Sequence, residues 1–221
     1  MDGLVGCCCS QAVQHIDMKV DRAVYLFLIP FLLGLALVGA SVFTAAYSRR
    51  WGDRAGALSS SILRNLLGIP LWLFGFVIAW NQPVPLLWTS GTATKTLSWL
   101  LIITGSVPFI WGHFVIGKPS HMPSVGDKLV RHSLYAYVRH PIYAGAFLIV
   151  LGIALLKATS TVALACALGF VWLMVQARLE EIDLLQRLPE YRQYMDEVPR
   201  FIPRLRGVKA NLGSDTKKAS S

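Results

Sequence analysis

Long uncharged apolar runs constrain this 221-residue chain more than any other feature of its sequence. Two of them, 23–47 and 66–88, carry no charged residue. Each exceeds the about 20 residues that a helix needs to cross a bilayer. Hydrophobic residues make up 54% of the chain and charged residues only 15%, which is unusual for a soluble domain. Because lipid offers backbone groups no partners and barrel strands would alternate in polarity, these runs predict transmembrane helices.

We predict an all-α, polytopic membrane protein with about five transmembrane helices, a C-terminal helical hairpin and a cytosolic helical extension. The predicted spans are 23–47, 66–88, 97–117, 142–156 and 159–177. The fourth is shorter than the ~30 Å hydrocarbon core, so we expect it to stop short or to distort the bilayer. Small residues should let the last two spans pack closely together: Gly145, Gly152, Ala163, Ala167 and Gly169.

The predicted regions differ in composition. Residues 1–22 form a mobile leader, 23–117 hold three spans, 118–206 hold a loop, the hairpin and a helix in water, and 207–221 form a loose tail. Within the leader, Cys7 to Cys9 are adjacent, and Cys166 lies in an apolar run, so neither a disulfide framework nor a metal site is predicted. Lipid attachment to the leader stays open as an alternative.

The net charge of +9 reflects membrane orientation rather than nucleic-acid binding, since no soluble basic domain with interleaved aromatic residues is present. Five crossings would place 17 of the 21 Lys and Arg residues on one side. By the positive-inside rule, the basic loops and the C-terminus face the cytoplasm. The predicted location is a bacterial inner membrane or the endoplasmic reticulum.

The stretch 135–145 combines cationic, aromatic and backbone-shaping residues directly before an apolar run. Arg139 and His140 offer hydrogen-bond donors, and Pro141 suits the first turn of a helix. The same face should carry Glu180 and Glu181, where the last span continues into water. We therefore predict a polar site at the mouth of the hairpin, while interface anchoring remains the alternative for each residue alone.

Three segments in order, 128–145, Arg178-Leu-Glu-Glu181 and 190–203, resemble the isoprenylcysteine carboxyl methyltransferase family. Its wider superfamily includes phospholipid N-methyltransferases. The resemblance implies a membrane enzyme that uses S-adenosylmethionine, with 118–206 as the catalytic region. It implies cofactor contacts for these residues: Lys128, Leu129, Val130, Tyr135, His140, Pro141, Ile142, Tyr143 and Glu180. Gln176 stands where the eukaryotic enzymes have a basic substrate-binding residue, so Arg178 is the nearby substitute.

The chemistry of S-adenosylmethionine assigns a role to each of these residue types. Glu180 would pair with its amine, Arg139 or His140 would meet its carboxylate, and Tyr135 or Tyr143 would cover the adenine. Arg178 would orient a carboxylate acceptor. For an amine acceptor, Glu181 would take the proton.

The predicted function is methylation of a lipid-borne or prenylated acceptor at the cytosolic face, as in isoprenylcysteine carboxyl O-methylation. Alternatives are a phospholipid amine N-methyltransferase, an NADPH-dependent membrane sterol-reductase-like enzyme, and a non-catalytic membrane scaffold. Four arginines in the C-terminal segment are expected to contact anionic lipids: Arg192, Arg200, Arg204 and Arg206.

Overall fold

The structure, a computed structural model, describes residues 24–203. The predictions for the leader with Cys7 to Cys9, for Arg204 and Arg206 and for the tail lie outside the described residues. Helices provide the regular structure of the described part, apart from an isolated bridge between Leu86 and Thr159.

Eight α-helices and one π-helical segment follow each other within the described range. The α-helices are α1 (Leu28–Ala40), α2 (Thr44–Trp51), α3 (Asp53–Ser61), α4 (Ile69–Asn81), α5 (Thr92–Ile116), α6 (Pro141–Leu156), α7 (Ser160–Arg187) and α8 (Tyr191–Glu197). The π-helical segment, Ile62–Gly68, joins α3 to α4. Short 3₁₀ turns cover Tyr25–Phe27, Lys118–Ser120 and Ser133–Ala136.

The first predicted span is bent rather than continuous. Tyr25–Ala40 and Thr44–Trp51 meet at 64°. The Ser41 hydroxyl donates to the Val38 carbonyl at 2.6 Å, and the Tyr47 hydroxyl donates to the Ala40 carbonyl at 2.7 Å. Side chains thus supply further hydrogen bonds to carbonyls at the end of α1.

The polar loop predicted over 48–64 is helical, which corrects that prediction. Residues 53–81 run as one helix of 29 residues through the π-helical segment. The backbones of α2 and α3 pack tightly, since a Cβ on Gly56 would lie 2.6 Å from the Ser48 backbone nitrogen. The predicted turn over 89–96 is also shorter, because α5 already begins at Thr92.

Three helices are long and apolar enough to cross a membrane: 53–81, 92–116 and 160–187. The bent pair of α1 and α2 would make a fourth span, and α6 is a shorter apolar helix. These helices agree with an all-α polytopic membrane protein. The number of five spans stays a prediction.

The membrane helices pack as two pairs. Helix α5 lies along α6, α1 lies along α4, and α7 contacts both pairs. An apolar cluster joins α1, α4 and α7 through Phe31, Leu35, Ala79 and Ala165. The space between the two pairs, on the side of the basic loops, holds the cavity described below.

Gly145 and Gly152 pack against α5, not α7, which corrects the prediction that they close the hairpin. A Cβ on Gly145 would lie 2.4 Å from the Gly105 carbonyl oxygen. One on Gly152 would lie 2.7 Å from the Ser98 carbonyl oxygen. A Cβ on Gly169 would meet no atom within 4 Å.

Candidate functional site

A cavity of about 370 Å³ lies where the two helix pairs diverge. Its walls come from α1, the π-helical segment, α4, α5, the 118–139 loop, the start of α6, the end of α7 and α8. The volume lies within the range of small-molecule sites in proteins.

Most residues predicted to contact a cofactor line this cavity: Lys128, Leu129, Val130, Tyr135, Arg139, His140, Ile142, Tyr143 and Glu180. Pro141, Arg178 and Glu181 are outside the lining. Pro141 is buried at the first turn of α6, next to Gly112 of α5. The side chain of Arg178 is 58% exposed, and that of Glu181 is fully buried.

The start of α6 is held in place by the C-terminal segment. The backbone N–H of Arg139 donates to the Pro199 carbonyl at 2.9 Å, and that of His140 donates to the Arg200 carbonyl at 3.0 Å. The His140 ring stacks on Tyr143 at 5.5 Å between centroids and contacts Phe201 at 6.0 Å. Residues 199–201 therefore act as a strap that fixes the orientation of the 139–140 pair.

Glu180 lines the cavity, as do the carboxylates of Asp127 and Asp183. Its Oε1 accepts hydrogen bonds from the Tyr143 hydroxyl at 2.5 Å and from Arg64 Nη2 at 3.4 Å. The amide of Gln176 lies 3.5 Å from the same oxygen. Its Oε2 lies 3.9 Å from His140 Nδ1. One carboxylate oxygen is thus held by the protein, while the other has only this distant neighbour.

Glu181 is the centre of a buried ion cluster. Arg200 donates to both of its oxygens, at 3.0 and 2.5 Å. His140 Nε2 lies 3.3 Å away, Arg139 Nη1 3.5 Å away and Arg178 Nη1 3.7 Å away. With these partners, the Glu181 carboxylate joins the strap to α7 and stays outside the cavity.

Arg139 is the cation that remains short of hydrogen bonds. Its side chain is only 9% exposed, and it lines the cavity. Neither Nε nor Nη1 has a hydrogen-bond partner within the described part of the chain. A buried guanidinium with unused donors is suited to bind an anionic ligand group.

The sequence analysis missed two lining residues: Arg64, which it placed at the end of a loop, and Asn65, which it did not assign. Both lie in the π-helical segment and line the cavity. Arg64 also donates to the Ser41 hydroxyl at 3.2 Å and to the Ser120 carbonyl at 3.1 Å. A polar pair at the start of an uncharged run was the available signal, and π-helical turns often mark functional sites.

Two contacts fix the loop and α8 around the cavity. Arg187 donates to Asp183 Oδ2 at 2.6 Å and to the Ser124 carbonyl at 2.6 Å. The Tyr194 hydroxyl donates to the Tyr135 carbonyl at 2.6 Å. Burial raises the pKa of both tyrosine hydroxyls well above the usual value, so both stay neutral donors.

The lining is polar on one side and apolar on the other. The apolar side is formed by α1, α4 and α5, which contribute Val38, Ile69, Trp72, Phe109 and Ile116, with His113 among them. The ionic groups come from the π-helical segment, the loop, the start of α6 and the end of α7. No group of His, Cys, Asp and Glu side chains within residues 24–203 is arranged to hold a metal ion.

Comparison with known proteins gives one family match and several relatives. Residues 93–190 match the model of the phospholipid methyltransferase family. The chain is 31% identical over 143 residues to methanethiol S-methyltransferase 1 of Bradyrhizobium diazoefficiens, covering 59% of this chain and 47% of that protein. It is 27% identical over 214 residues to a methanethiol S-methyltransferase of Mycobacterium tuberculosis, covering 87% and 84%.

The human protein-S-isoprenylcysteine O-methyltransferase is 29% identical over 133 residues, covering 53% of this chain and 46% of that protein. The chain thus spans about half the length of the Bradyrhizobium and human relatives. No solved structure gives a significant match.

Proposed function

Since residues 93–190 match the model of the phospholipid methyltransferase family, we propose that this chain is an S-adenosylmethionine-dependent membrane methyltransferase. The observation that carries the proposal is the meeting of Glu180, His140 and Arg139 at one cavity. These residues come from separate segments, yet His140 Nδ1 and Glu180 Oε2 lie 3.9 Å apart. The cavity offers both an anion and a cation for a zwitterionic ligand.

The side chains present fit the amino-acid end of S-adenosylmethionine. Glu180 has one oxygen free for an ammonium group, and the unused donors of Arg139 match a carboxylate. Tyr135 and Tyr143 offer aromatic faces for adenine, and Lys128, Leu129 and Val130 supply a loop wall. When bound, the cofactor supplies a methyl group on a positively charged sulfur.

The protein's contribution to such a transfer is orientation. Little acid or base chemistry is needed at the carbon, and placing donor and acceptor in line contributes about 7–11 kcal/mol. The strap at 199–201 fixes His140, and Tyr143 with Arg64 fixes Glu180. Because these groups are set by packing and hydrogen bonds, the cavity is arranged before any ligand arrives.

The acceptor is a lipid-borne or amphiphilic molecule in this proposal. The cavity lies between two helix pairs, and its α1, α4 and α5 walls are apolar, so a hydrocarbon chain fits there. With the basic loops in the cytoplasm, as the positive-inside rule predicts, the polar end opens to the cytosol. A prenylated acceptor, as the name of the human relative states for that protein, meets these conditions.

Neither residue predicted to act on the acceptor lines the cavity. Arg178, proposed to orient a carboxylate, has an exposed side chain outside the cavity lining. Glu181, proposed to take a proton from an amine, is fully buried and ion-paired with three arginines. A thiol acceptor is the second candidate, favoured by the similarity to the two methanethiol S-methyltransferases described above.

Binding of S-adenosylmethionine to the purified protein in lipid nanodiscs, measured by calorimetry, tests the proposal. We expect the wild-type protein to bind S-adenosylmethionine, and NADPH not to compete. The affinity should fall at least tenfold in Glu180→Gln. Glu190→Gln, an exposed carboxylate at the start of α8, is the matched control and should bind normally. Binding of NADPH in place of S-adenosylmethionine would favour the reductase alternative, and binding of neither would favour the scaffold.

A further inference from the structure

His113 is an ionisable residue that the proposed mechanism leaves unused, and its ring stacks at 6.0 Å on that of His121, which also lines the cavity. It lies in the last turn of α5 and lines the cavity. Among the cavity-lining side chains that α1, α4 and α5 contribute, it is the one that can accept a proton. It therefore stands in the apolar wall where an acceptor would lie.

Hydrogen bonding selects the tautomer of His113. Its Nδ1 lies 2.8 Å from the Phe109 carbonyl oxygen, which can only accept, so Nδ1 carries the proton. The lone pair of the neutral ring then lies on Nε2, which has no hydrogen-bond partner within residues 24–203.

The three arginines that line the cavity each lie beside a carboxylate of the protein. Arg64 lies 3.4 Å from Glu180, and Arg187 lies 2.6 Å from Asp183. Arg139 lies 3.5 Å from Glu181 and is assigned to the cofactor. Lys128 belongs to the loop wall on the polar side. A carboxylate acceptor in the apolar part would therefore be buried without a cationic partner, which is costly.

We propose that the acceptor presents a neutral thiol in the apolar part of the cavity, and that His113 is its proton acceptor. This inference rests on the proposed function. An amine acceptor is less suited, because it arrives as an ammonium ion and the apolar wall offers no anion. A thiol enters neutral and needs one base, because only the thiolate is a strong nucleophile.

The proposed step balances in atoms and charge. The acceptor sulfur gives its proton to His113 Nε2 and forms a new sulfur–carbon bond to the methyl group. The bond from that methyl to the cofactor's sulfonium breaks, and its electron pair stays with that sulfur. The products are a neutral thioether, a neutral S-adenosylhomocysteine and an imidazolium, which replaces the sulfonium as the positive charge.

Three acceptors with the same chain test the thiol assignment: 1-octanethiol, octanoate and octylamine. With the wild-type protein in nanodiscs and S-adenosylmethionine labelled in its methyl group, we expect label in methyl octyl sulfide and little in the other two products. Binding is measured separately by quenching of tryptophan fluorescence in the presence of S-adenosylhomocysteine, since Trp72 lines the cavity. The thiol should bind more tightly than octanoate without any transfer.

His113→Gln tests the base. With 1-octanethiol we expect its rate to fall by about 100-fold or more, the usual contribution of a general base. With 4-nitrothiophenol, which is already a thiolate at neutral pH, the rate should fall by less than about fivefold. His132→Gln, an exposed histidine outside the lining, is the matched control and should match the wild type with both thiols.

The outcomes separate this inference from the proposed function. Normal S-adenosylmethionine binding by His113→Gln, with loss confined to 1-octanethiol, supports the inference. Equal loss with both thiols overturns the role of His113 as a base. Preferred methylation of octanoate or octylamine overturns the thiol assignment while leaving the methyltransferase intact. Absence of S-adenosylmethionine binding in the wild type overturns both proposals.

Discussion

Arg200 holds the Glu181 carboxylate through two hydrogen bonds, from Nε to Oε1 at 3.0 Å and from Nη2 to Oε2 at 2.5 Å. The carboxylate is fully buried, while the arginine side chain is 34% exposed. This pair ties the 199–201 strap to α7, next to the backbone bonds that fix Arg139 and His140. The strap therefore depends on Glu181.

Glu181→Gln should destabilise the protein by about 3 kcal/mol, because it leaves the buried Arg139 and the partly buried Arg200 without their anion. Thermal unfolding in nanodiscs measures the change. Glu197→Gln breaks the ion pair of Glu197 with Arg131, whose side chains are 48% and 39% exposed. This control should cost less than about 1 kcal/mol. Equal effects of the two variants would contradict a structural role for Glu181.

The Tyr143 hydroxyl should position Glu180 for the cofactor's ammonium group. Tyr143→Phe removes the 2.5 Å hydrogen bond to Oε1 and leaves the aromatic face in place. A hydrogen bond to a charged group contributes about 1.5–3 kcal/mol, so S-adenosylmethionine should bind at least tenfold more weakly. Calorimetry measures this affinity. Tyr137→Phe, which alters an exposed tyrosine, is the control and should bind normally. Unchanged affinity in Tyr143→Phe would exclude this role.

Arg139 should recognise the cofactor's carboxylate. Arg139→Lys keeps the charge near Glu181 but loses the planar array of donors. We expect a roughly tenfold loss of affinity for S-adenosylmethionine and a much smaller loss for its decarboxylated analogue. Competition binding compares the two ligands on the same variant. Equal losses would show that Arg139 acts only through the ion cluster around Glu181.

The sequence predicted the resemblance to this superfamily, the helical class and the start of α6. The resemblance is confirmed by the family-model match over residues 93–190, and Pro141 begins α6 directly after a non-helical His140. Local sequence signals were sufficient for these predictions: a proline precedes the apolar run of α6, and charged residues follow the apolar run of α7. The role of each predicted site residue remains a prediction.

The features that could not be predicted from the sequence depend on contacts between residues that are distant in the chain. The bend after α1 is supported by Asp183, whose Oδ1 accepts the Ala45 N–H at 2.9 Å across 138 positions. The placement of Arg64 at the cavity depends on a π-helical turn that periodicity does not reveal. Glu180 and Glu181 have the same chemistry and are adjacent, so only the fold separates a cavity carboxylate from a buried one.

The close contact between α5 and α6 yields a prediction about stability. In Gly145→Ala, the new Cβ would lie 2.4 Å from the Gly105 carbonyl oxygen and 2.7 Å from the Phe109 nitrogen. These are backbone atoms of a helix that cannot yield locally, so the helices must separate, at a cost of about 1–3 kcal/mol. Since His113 lies one turn beyond Phe109, octanethiol binding should weaken as well.

Gly169→Ala is the matched control, because a Cβ there meets no atom within 4 Å. Alanine has the higher helix propensity, so this variant should be unchanged or more stable by up to about 1 kcal/mol. Thermal unfolding of both variants in nanodiscs compares their stabilities. If Gly145→Ala unfolds no earlier than Gly169→Ala, the α5–α6 contact does not have the backbone proximity described above, and the position of His113 relative to the start of α6 must be revised.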